Sequence, residues 1–159
     1  MTEIEMAWAA GFFDGEGSVV IGHNRAGNSL RIIASQVDIR PLLKLQQLFG
    51  GGIYPRTGDN NPRHAQSYEW TTSSRRASAA LGSMLPYLTV KREVAELAIE
   101  FQALKSSHRL GVRLTPEQKA DEEWHRQALH ALNARGQPKG TVILPPKKKS
   151  AQLRLLKEA

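Results

Sequence analysis

The stretch AWAAGFFDGEG, residues 7–17, constrains the fold most, because a small-residue helix runs into two carboxylates that one glycine separates. Small or polar residues recur in it at spacings of three and four, which places them on one face of an α-helix: Ala7, Ala10, Gly11 and Asp14. Such a face lets two helix backbones approach closely. Asp14 and Glu16 follow at the helix end, and carboxylate oxygens are the ligands that Mg²⁺ prefers. The stretch therefore predicts a metal site at a helix interface.

A plainer interpretation of this stretch stays open at this point. Asp-Gly and Glu-Gly steps are common in turns, and an Ala/Gly helix face is often ordinary core packing. Two other kinds of site are excluded. A calcium EF-hand loop that starts at Asp14 needs Gly at its sixth position, which is Val19 here. A phosphate-binding P-loop ends in Gly-Lys-Ser/Thr, and the chain has no such sequence.

Composition favours a basic protein of one domain that binds nucleic acid. The chain has 159 residues, a net charge of +7 and no cysteine, which excludes a disulfide framework and Cys-based zinc sites. Residues 18–92 carry +7 and residues 135–159 carry +6, whereas residues 1–17 carry −4 and residues 93–134 carry −2. A basic middle and a basic tail are typical of a nucleic-acid surface, although a merely soluble basic protein is the alternative.

The N-terminus is acidic where a signal or transit peptide would be basic, and no apolar run has membrane-spanning length. We therefore expect a soluble intracellular protein with no signal or transit peptide and no membrane partner.

Residue periodicity predicts seven elements in the order αββαββα. The expected helices lie near residues 3–13, 41–49 and 74–85, and the expected strands near residues 18–23, 30–36, 53–57 and 66–72. Two C-terminal helices follow, one from Lys91 and one from the capping box at Thr115 to about Asn133. The predicted fold class is α+β, with a twisted four-stranded antiparallel sheet in a domain of residues 1–136. Residues 137–159 are expected to form a basic extension, loosely ordered or with a short helix.

Strand alternation predicts that one face of this sheet carries polar side chains away from the core. A twisted antiparallel sheet bearing Arg, Ser, Asn and Thr can enter a DNA major groove and read base edges. An ordinary solvated sheet face is the alternative. The candidate DNA-binding positions are Ser18, Val20, Gly22, Asn24, Ser29, Arg31, Ile33, Arg56, Ser67, Glu69 and Thr71.

AAGFFDGEG at residues 9–17 resembles the signature of the LAGLIDADG homing endonucleases, and the order αββαββα is that family's core fold. The resemblance extends over about residues 4–135. It includes SQVD at 35–38 before an amphipathic helix that ends in FGGG, and PYLTVK at 86–91. The chain departs from the usual signature at Ala9, where Leu is usual, and at Glu16, where Asp is commoner.

The resemblance implies a divalent metal site at the end of the first helix. Glu16 corresponds to the family's metal-binding acid, the Gly15 carbonyl is a backbone ligand, and Asp14 is a further ligand or a support for the helix end. The implied metal is Mg²⁺, for which Mn²⁺ or Ca²⁺ can substitute in binding.

The resemblance also implies three catalytic residues besides Glu16. Gln36 matches the polar residue near the metals and the attacking water, Lys91 matches the active-site lysine, and Arg40 is a further candidate for the same solvent pocket. Plainer roles stay open, namely a strand-end hydrogen bond for Gln36 and a solvated helix start for Lys91.

Because the chain has one such motif, the resemblance implies a homodimer that cuts double-stranded DNA at a long pseudo-palindromic site. The expected dimer interface consists of Ala7, Ala10, Gly11 and Asp14. The expected reaction is metal-dependent phosphodiester hydrolysis that leaves 3′ overhangs. The alternatives are an RNA-splicing maturase that binds its own intron RNA and a DNA-binding protein of the same fold without cleavage activity.

Overall fold

The computed structural model describes residues 1–24, 27–57, 65–109 and 111–134. The helices are α1 (Glu3–Glu16), α2 (Ile39–Phe49), α3 (Ser74–Met84), α4 (Arg92–Ser107) and α5 (Pro116–Asn133). The strands are β1 (Gly17–Asn24), β2 (Gly27–Gln36), β3 (Gly52–Pro55) and β4 (Tyr68–Ser73). The predicted α+β fold and element order are confirmed. The predicted extension at 137–159 lies outside the described residues, so the domain boundary stays a prediction.

Side-chain caps set where three of the helices begin. Thr2 and Glu5 form a capping box at the start of α1, and Thr115 forms the equivalent box at the start of α5. Asp38 caps α2 by accepting the backbone N–H of Arg40, so α2 begins two residues before the predicted start at Pro41. A proline is tolerated there, because N–H groups in the first turn have no intrahelical partner.

The sheet is antiparallel, and its strands lie in the order β1-β2-β4-β3. At one end of the sheet Gly17 pairs with Ala34, and Gln36 pairs with Tyr68. Arg31 lies five residues back along β2 and pairs with Ser73. Gln36, at the end of β2, and Arg31, in the middle of this strand, therefore lie in two different regions of the sheet.

One face of the sheet packs against the helices and forms the core. Ile32 and Trp70 are fully buried on this face, where they pack with helix residues such as Phe13 and Leu81. The indole N–H of Trp70 donates to the carbonyl of Gly50 over 2.8 Å. The predicted alternation is confirmed in the middle of β1, β2 and β4, where buried residues such as Val19, Ile32 and Trp70 alternate with more exposed neighbours.

The described residues include no helix with both the length and the hydropathy required to span a lipid bilayer.

Candidate active site and nucleic-acid interface

Asp14 joins the end of α1 to the start of α4. Its carboxylate accepts the backbone N–H groups of Thr89 (2.7 Å), Val90 (3.1 Å) and Lys91 (2.9 Å). The ammonium group of Lys91 donates in turn to the backbone carbonyl of Asp14. The last turn of α1 is therefore tied to a segment that lies 75 to 77 residues later in the chain.

These contacts bear on the predicted role of Asp14. Partial burial raises the pKa of its carboxyl group, but the three backbone N–H donors and the charge of Lys91 outweigh burial and hold the pKa below its ordinary value. Both carboxylate oxygens already accept hydrogen bonds. These contacts favour the other role predicted for Asp14, support of the helix end, and its role as a metal ligand stays a prediction.

Glu16 is the last residue of α1 and is exposed. The helix extends three residues beyond its predicted end at residue 13, because Asp14 anchors the final turn. The next residue, Gly17, lies so close to Phe13 that any side-chain carbon on it would overlap the aromatic ring. A side-chain carbon on Gly15 would meet no atom within 4 Å. The chain therefore holds the Glu16 backbone firmly and leaves open space beside it.

The register of β1 and β2 brings the end of β2 next to the end of α1. Because Gly17 pairs with Ala34, the following residues Ser35 and Gln36 lie beside the last turn of α1. Gln36 is partly buried, and its side-chain carbonyl accepts the N–H of Val37 over 2.8 Å. This is the strand-end hydrogen bond that the sequence left open.

The side chain of Arg40 is held by Asp38, and Asp38 lies two residues after Gln36. Its Nε donates to both Asp38 carboxylate oxygens at 2.9 Å, and hydrogen bonds from Arg40 lower the pKa of Asp38 to about 2. The Arg40 side chain is 85% exposed. The structure thus brings Glu16, Gln36 and Lys91 to one end of the sheet, whereas the hydrogen bonds of Arg40 are with Asp38.

The donor set at the end of α1 fits a hard divalent cation. Glu16 offers an exposed carboxylate, and the Gly15 carbonyl precedes it in the chain. Within the described ranges, no group of three or more His, Cys, Asp or Glu side chains is arranged to hold a metal ion. Mg²⁺ does not require such a group, because it keeps several waters and binds one or two carboxylates together with substrate phosphates.

The face of the sheet opposite the core carries the predicted DNA-binding side chains. Ser18, Arg31 and Arg56 are exposed, and Ile33, Glu69 and Thr71 are partly exposed. Sequence reasoning missed one residue, Tyr54, whose side chain is 58% exposed and which pairs with Glu69 on this face. The available signal was its position two residues before Arg56, a candidate DNA-binding residue in the same predicted strand.

The predicted dimer interface needs one correction. Ala10 is fully buried in the core of its own chain, so it is not available to a second copy. Of the other predicted residues, Ala7 and Gly11 are exposed, whereas Asp14 is partly buried and accepts hydrogen bonds from the segment before α4. Ile4 and Gly15 extend the exposed face at helical spacing. A side-chain carbon on Gly11 would meet no atom within 4 Å, so this face of α1 is open in the single chain.

Comparisons with known proteins bear on part of the sequence and on the fold. No sequence model of a protein family matches the chain. An intron-encoded DNA endonuclease, ai2b of Dictyostelium discoideum, is 30% identical over 71 residues, which are 43% of this chain and 27% of that protein. The chain therefore spans only about a quarter of this relative.

Three solved structures have a similar fold. The homing endonuclease I-CvuI, in complex with its target, superimposes with a TM-score of 0.65 and 19% identity over 86% of this chain and 85% of that chain. The archaeal intron-encoded homing endonuclease I-Vdi141I, complexed with DNA, superimposes with a TM-score of 0.68 and 16% identity over 86% of this chain and 89% of that chain. The LAGLIDADG homing endonuclease I-GzeII, in complex with a DNA target, superimposes with a TM-score of 0.60 and 18% identity over 90% of this chain and 51% of that chain. The chain has the fold of the LAGLIDADG homing endonucleases.

Proposed function

We propose that the chain is a site-specific endonuclease that cuts both strands of a long pseudo-palindromic DNA site as a homodimer. The observation that carries this proposal is the arrangement at one end of the sheet. There the exposed carboxylate of Glu16 lies two residues after Asp14, which fixes Lys91, and both adjoin a polar sheet face. A metal-binding acid, a cation and a duplex-binding surface are the parts that phosphodiester hydrolysis requires.

Each residue has a distinct part in the proposed reaction. A bound divalent cation, Mg²⁺ in this proposal, supplies water activation and stabilises the departing 3′ oxygen. Glu16 and the Gly15 carbonyl would hold this cation. Lys91, which Asp14 positions, offsets the negative charge that develops on the phosphate. The Gln36 carboxamide orients the attacking water, and the products carry 3′ overhangs.

The proposed dimer forms through the exposed face of α1. The small residues Ala7 and Gly11 let two copies of the helix approach closely, and Ile4 adds an exposed apolar side chain. A two-fold axis along this contact would bring both Glu16 residues near the centre, so that each copy serves one DNA strand. The match to about half of the I-GzeII chain supports the idea that this chain is one unit of a two-unit enzyme.

The proposed substrate is duplex DNA bound on the outward sheet face. That face presents Arg31, Tyr54 and Thr71, which can contact base edges in the major groove. The net charge of +7 supports binding to a polyanion.

Cleavage of a randomised plasmid library in Mg²⁺, followed by sequencing of the new ends, tests the function directly. We expect linear products with 3′ overhangs at one family of pseudo-palindromic sites. Glu16→Gln should bind the selected duplex in Ca²⁺ but not cut it in Mg²⁺. Glu96→Gln, which removes an exposed carboxylate from α4, is the matched control and should cut normally. Undiminished cutting by Glu16→Gln would refute the proposal.

A further inference from the structure

A second basic region lies at the end of the sheet away from Glu16. A cleft of about 890 Å³ opens there between β2, β3, β4, α3 and α4, and its lining includes Arg31, Arg75, Arg76 and Lys105. We call it the distal basic cleft. Arg31 precedes Gln36 by five residues on β2, which is roughly 17 Å at about 3.3 Å per strand residue. This cleft is therefore distinct from the candidate active site.

The charge of the distal basic cleft is strongly positive. Four of its lining side chains are cationic, and no Asp or Glu is among the described residues that line it. Lys105 lies 3.8 Å from the buried carboxylate of Glu122, which balances part of its charge. Among the described residues, the three arginines form no ion pair or hydrogen bond through their side chains.

The backbone around the cleft also presents hydrogen-bond donors. Helix α3 starts there, and the side chain of its N-cap residue, Ser73, does not accept a hydrogen bond from the helix. The first N–H groups of α3 thus lack a side-chain acceptor, and a helix start of this kind attracts anions. The side chain of Arg76 lies over Gly50. A side-chain carbon on Gly50 would be 3.3 Å from the Cδ of Arg76.

A buried amide in the lining is incompletely satisfied. Gln102 is only 6% exposed, and its Nε2 donates to the Ser106 hydroxyl over 3.1 Å. Its Oε1 is buried and has no hydrogen-bond partner in the described structure. This oxygen is a hydrogen-bond acceptor, so a water or an arginine N–H would satisfy it, whereas a phosphodiester has no donor to offer it.

The cleft is continuous with the outward sheet face, because Arg31, Tyr54 and Thr71 belong to both. A duplex that follows the strands away from Gln36 reaches the cleft after about five base pairs, at roughly 3.4 Å per base pair. We propose that the distal basic cleft binds backbone phosphate of the DNA that flanks the cut region. This inference rests on the proposed DNA-binding function. It assigns Arg75 and Arg76 a sequence-independent role that sets how much flanking DNA the protein grips.

The salt dependence of binding tests this proposal without requiring cleavage. The probe is a fluorescein-labelled duplex of the selected site in Ca²⁺, or a long duplex of fixed sequence if no site is selected. Each lost phosphate contact lowers the slope of log K against log salt by about 0.9. The variant R75Q/R76Q removes two contacts from each copy of the proposed homodimer and therefore four in all. We expect the slope to fall by about 3.6 and binding near 150 mM salt to weaken by about 10³-fold. The charge-preserving variant R75K/R76K should keep the slope.

The matched control is R113Q/K119Q, which removes two exposed charges that do not line the cleft. An unchanged slope in R75Q/R76Q, or an equal loss in the control, would overturn the proposal. Circular-dichroism melting confirms that each variant is folded. If R75Q/R76Q lowered the salt slope for duplex RNA but not for duplex DNA, the assignment of the cleft to DNA would be overturned.

The failure of this inference can be distinguished from the failure of the proposed function. If the wild type cuts DNA but R75Q/R76Q keeps its slope, only the cleft assignment fails. If the slope falls as expected but no site is cut in Mg²⁺, the phosphate cleft stands and the endonuclease proposal fails.

Discussion

Asp14 and Lys91 bind each other reciprocally: the Asp14 carboxylate accepts the Lys91 backbone N–H, and the Lys91 ammonium donates to the Asp14 backbone carbonyl. The pair closes the gap between the end of α1 and the start of α4. It also holds the Lys91 ammonium group against Asp14, which lies two residues before Glu16. One contact therefore serves both the stability of the fold and the proposed chemistry.

The first prediction concerns the stability that Asp14 provides. Asp14→Asn replaces an acceptor of three backbone N–H groups with a side chain that has one acceptor oxygen and a competing N–H₂ group. Near pH 7 we expect the free energy of unfolding to fall by about 1–3 kcal/mol. Urea unfolding followed by tryptophan fluorescence measures the loss. Asp121→Asn, which removes a carboxylate from α5, should cost less.

The stability lost in Asp14→Asn should depend on pH. The folded-state pKa of Asp14 lies below its ordinary value of 3.8, so its contribution is complete above that value and is lost as the pH falls through the folded-state pKa. The stability difference between the wild type and Asp14→Asn should therefore shrink below about pH 4. A difference that stays constant down to pH 2 or so would contradict a charged role for Asp14.

The second prediction concerns Lys91. Lys91→Met keeps most of the length of the side chain but removes its charge and its N–H donors, so we expect the single-turnover cleavage rate to fall by about 10² or more. Binding to the same duplex in Ca²⁺ should change little. A variant that melts as early as Asp14→Asn and still cuts at the normal rate when folded would assign Lys91 a structural role only.

The third prediction concerns self-association through α1. Gly11→Glu places a charged side chain on the exposed small-residue face, so we expect sedimentation velocity to show a monomer where the wild type is a dimer. Double-strand cutting should be lost with it. Gly82→Glu is the matched control, since Gly82 is likewise an exposed helical glycine with open space around it. Equal behaviour of both variants would argue against this interface.

The fourth prediction concerns Trp70, the largest fully buried side chain. Trp70→Phe leaves a cavity and removes the donor to the Gly50 carbonyl, so we expect a loss of about 2–4 kcal/mol in the free energy of unfolding. Urea unfolding measures it. Trp8→Phe should cost less, because Trp8 is only partly buried and its stacking on Phe12 can persist. A smaller effect at Trp70 than at Trp8 would contradict this account of the core.

Local signals predicted most of the fold. The capping residues Thr2 and Thr115 determine helix starts through contacts only three residues away, so they can be read from the sequence. The strands could be predicted because one sheet face is buried and the alternation is therefore regular.

The features that the sequence did not predict depend on contacts between residues that are distant in the chain. The three-residue extension of α1 depends on Asp14 meeting the segment around Lys91. Periodicity placed Ala10 on a small-residue face but could not say that this part of the helix packs inside its own chain. Nor could the sequence indicate the distal basic cleft, because Arg31, Arg76 and Lys105 come from three separate elements.

The alternation of the sheet has a consequence for how such a protein can change its target. Each side chain on the outward face, such as Arg31 or Thr71, lies between neighbours that belong to the core but is not itself buried there. If the outward face binds DNA as proposed, substitutions at these positions can alter which bases are contacted while leaving the packing around Trp70 intact. The side chains proposed to contact DNA and the side chains that form the core alternate along the same strands, so a change in the target would not require a change in the fold.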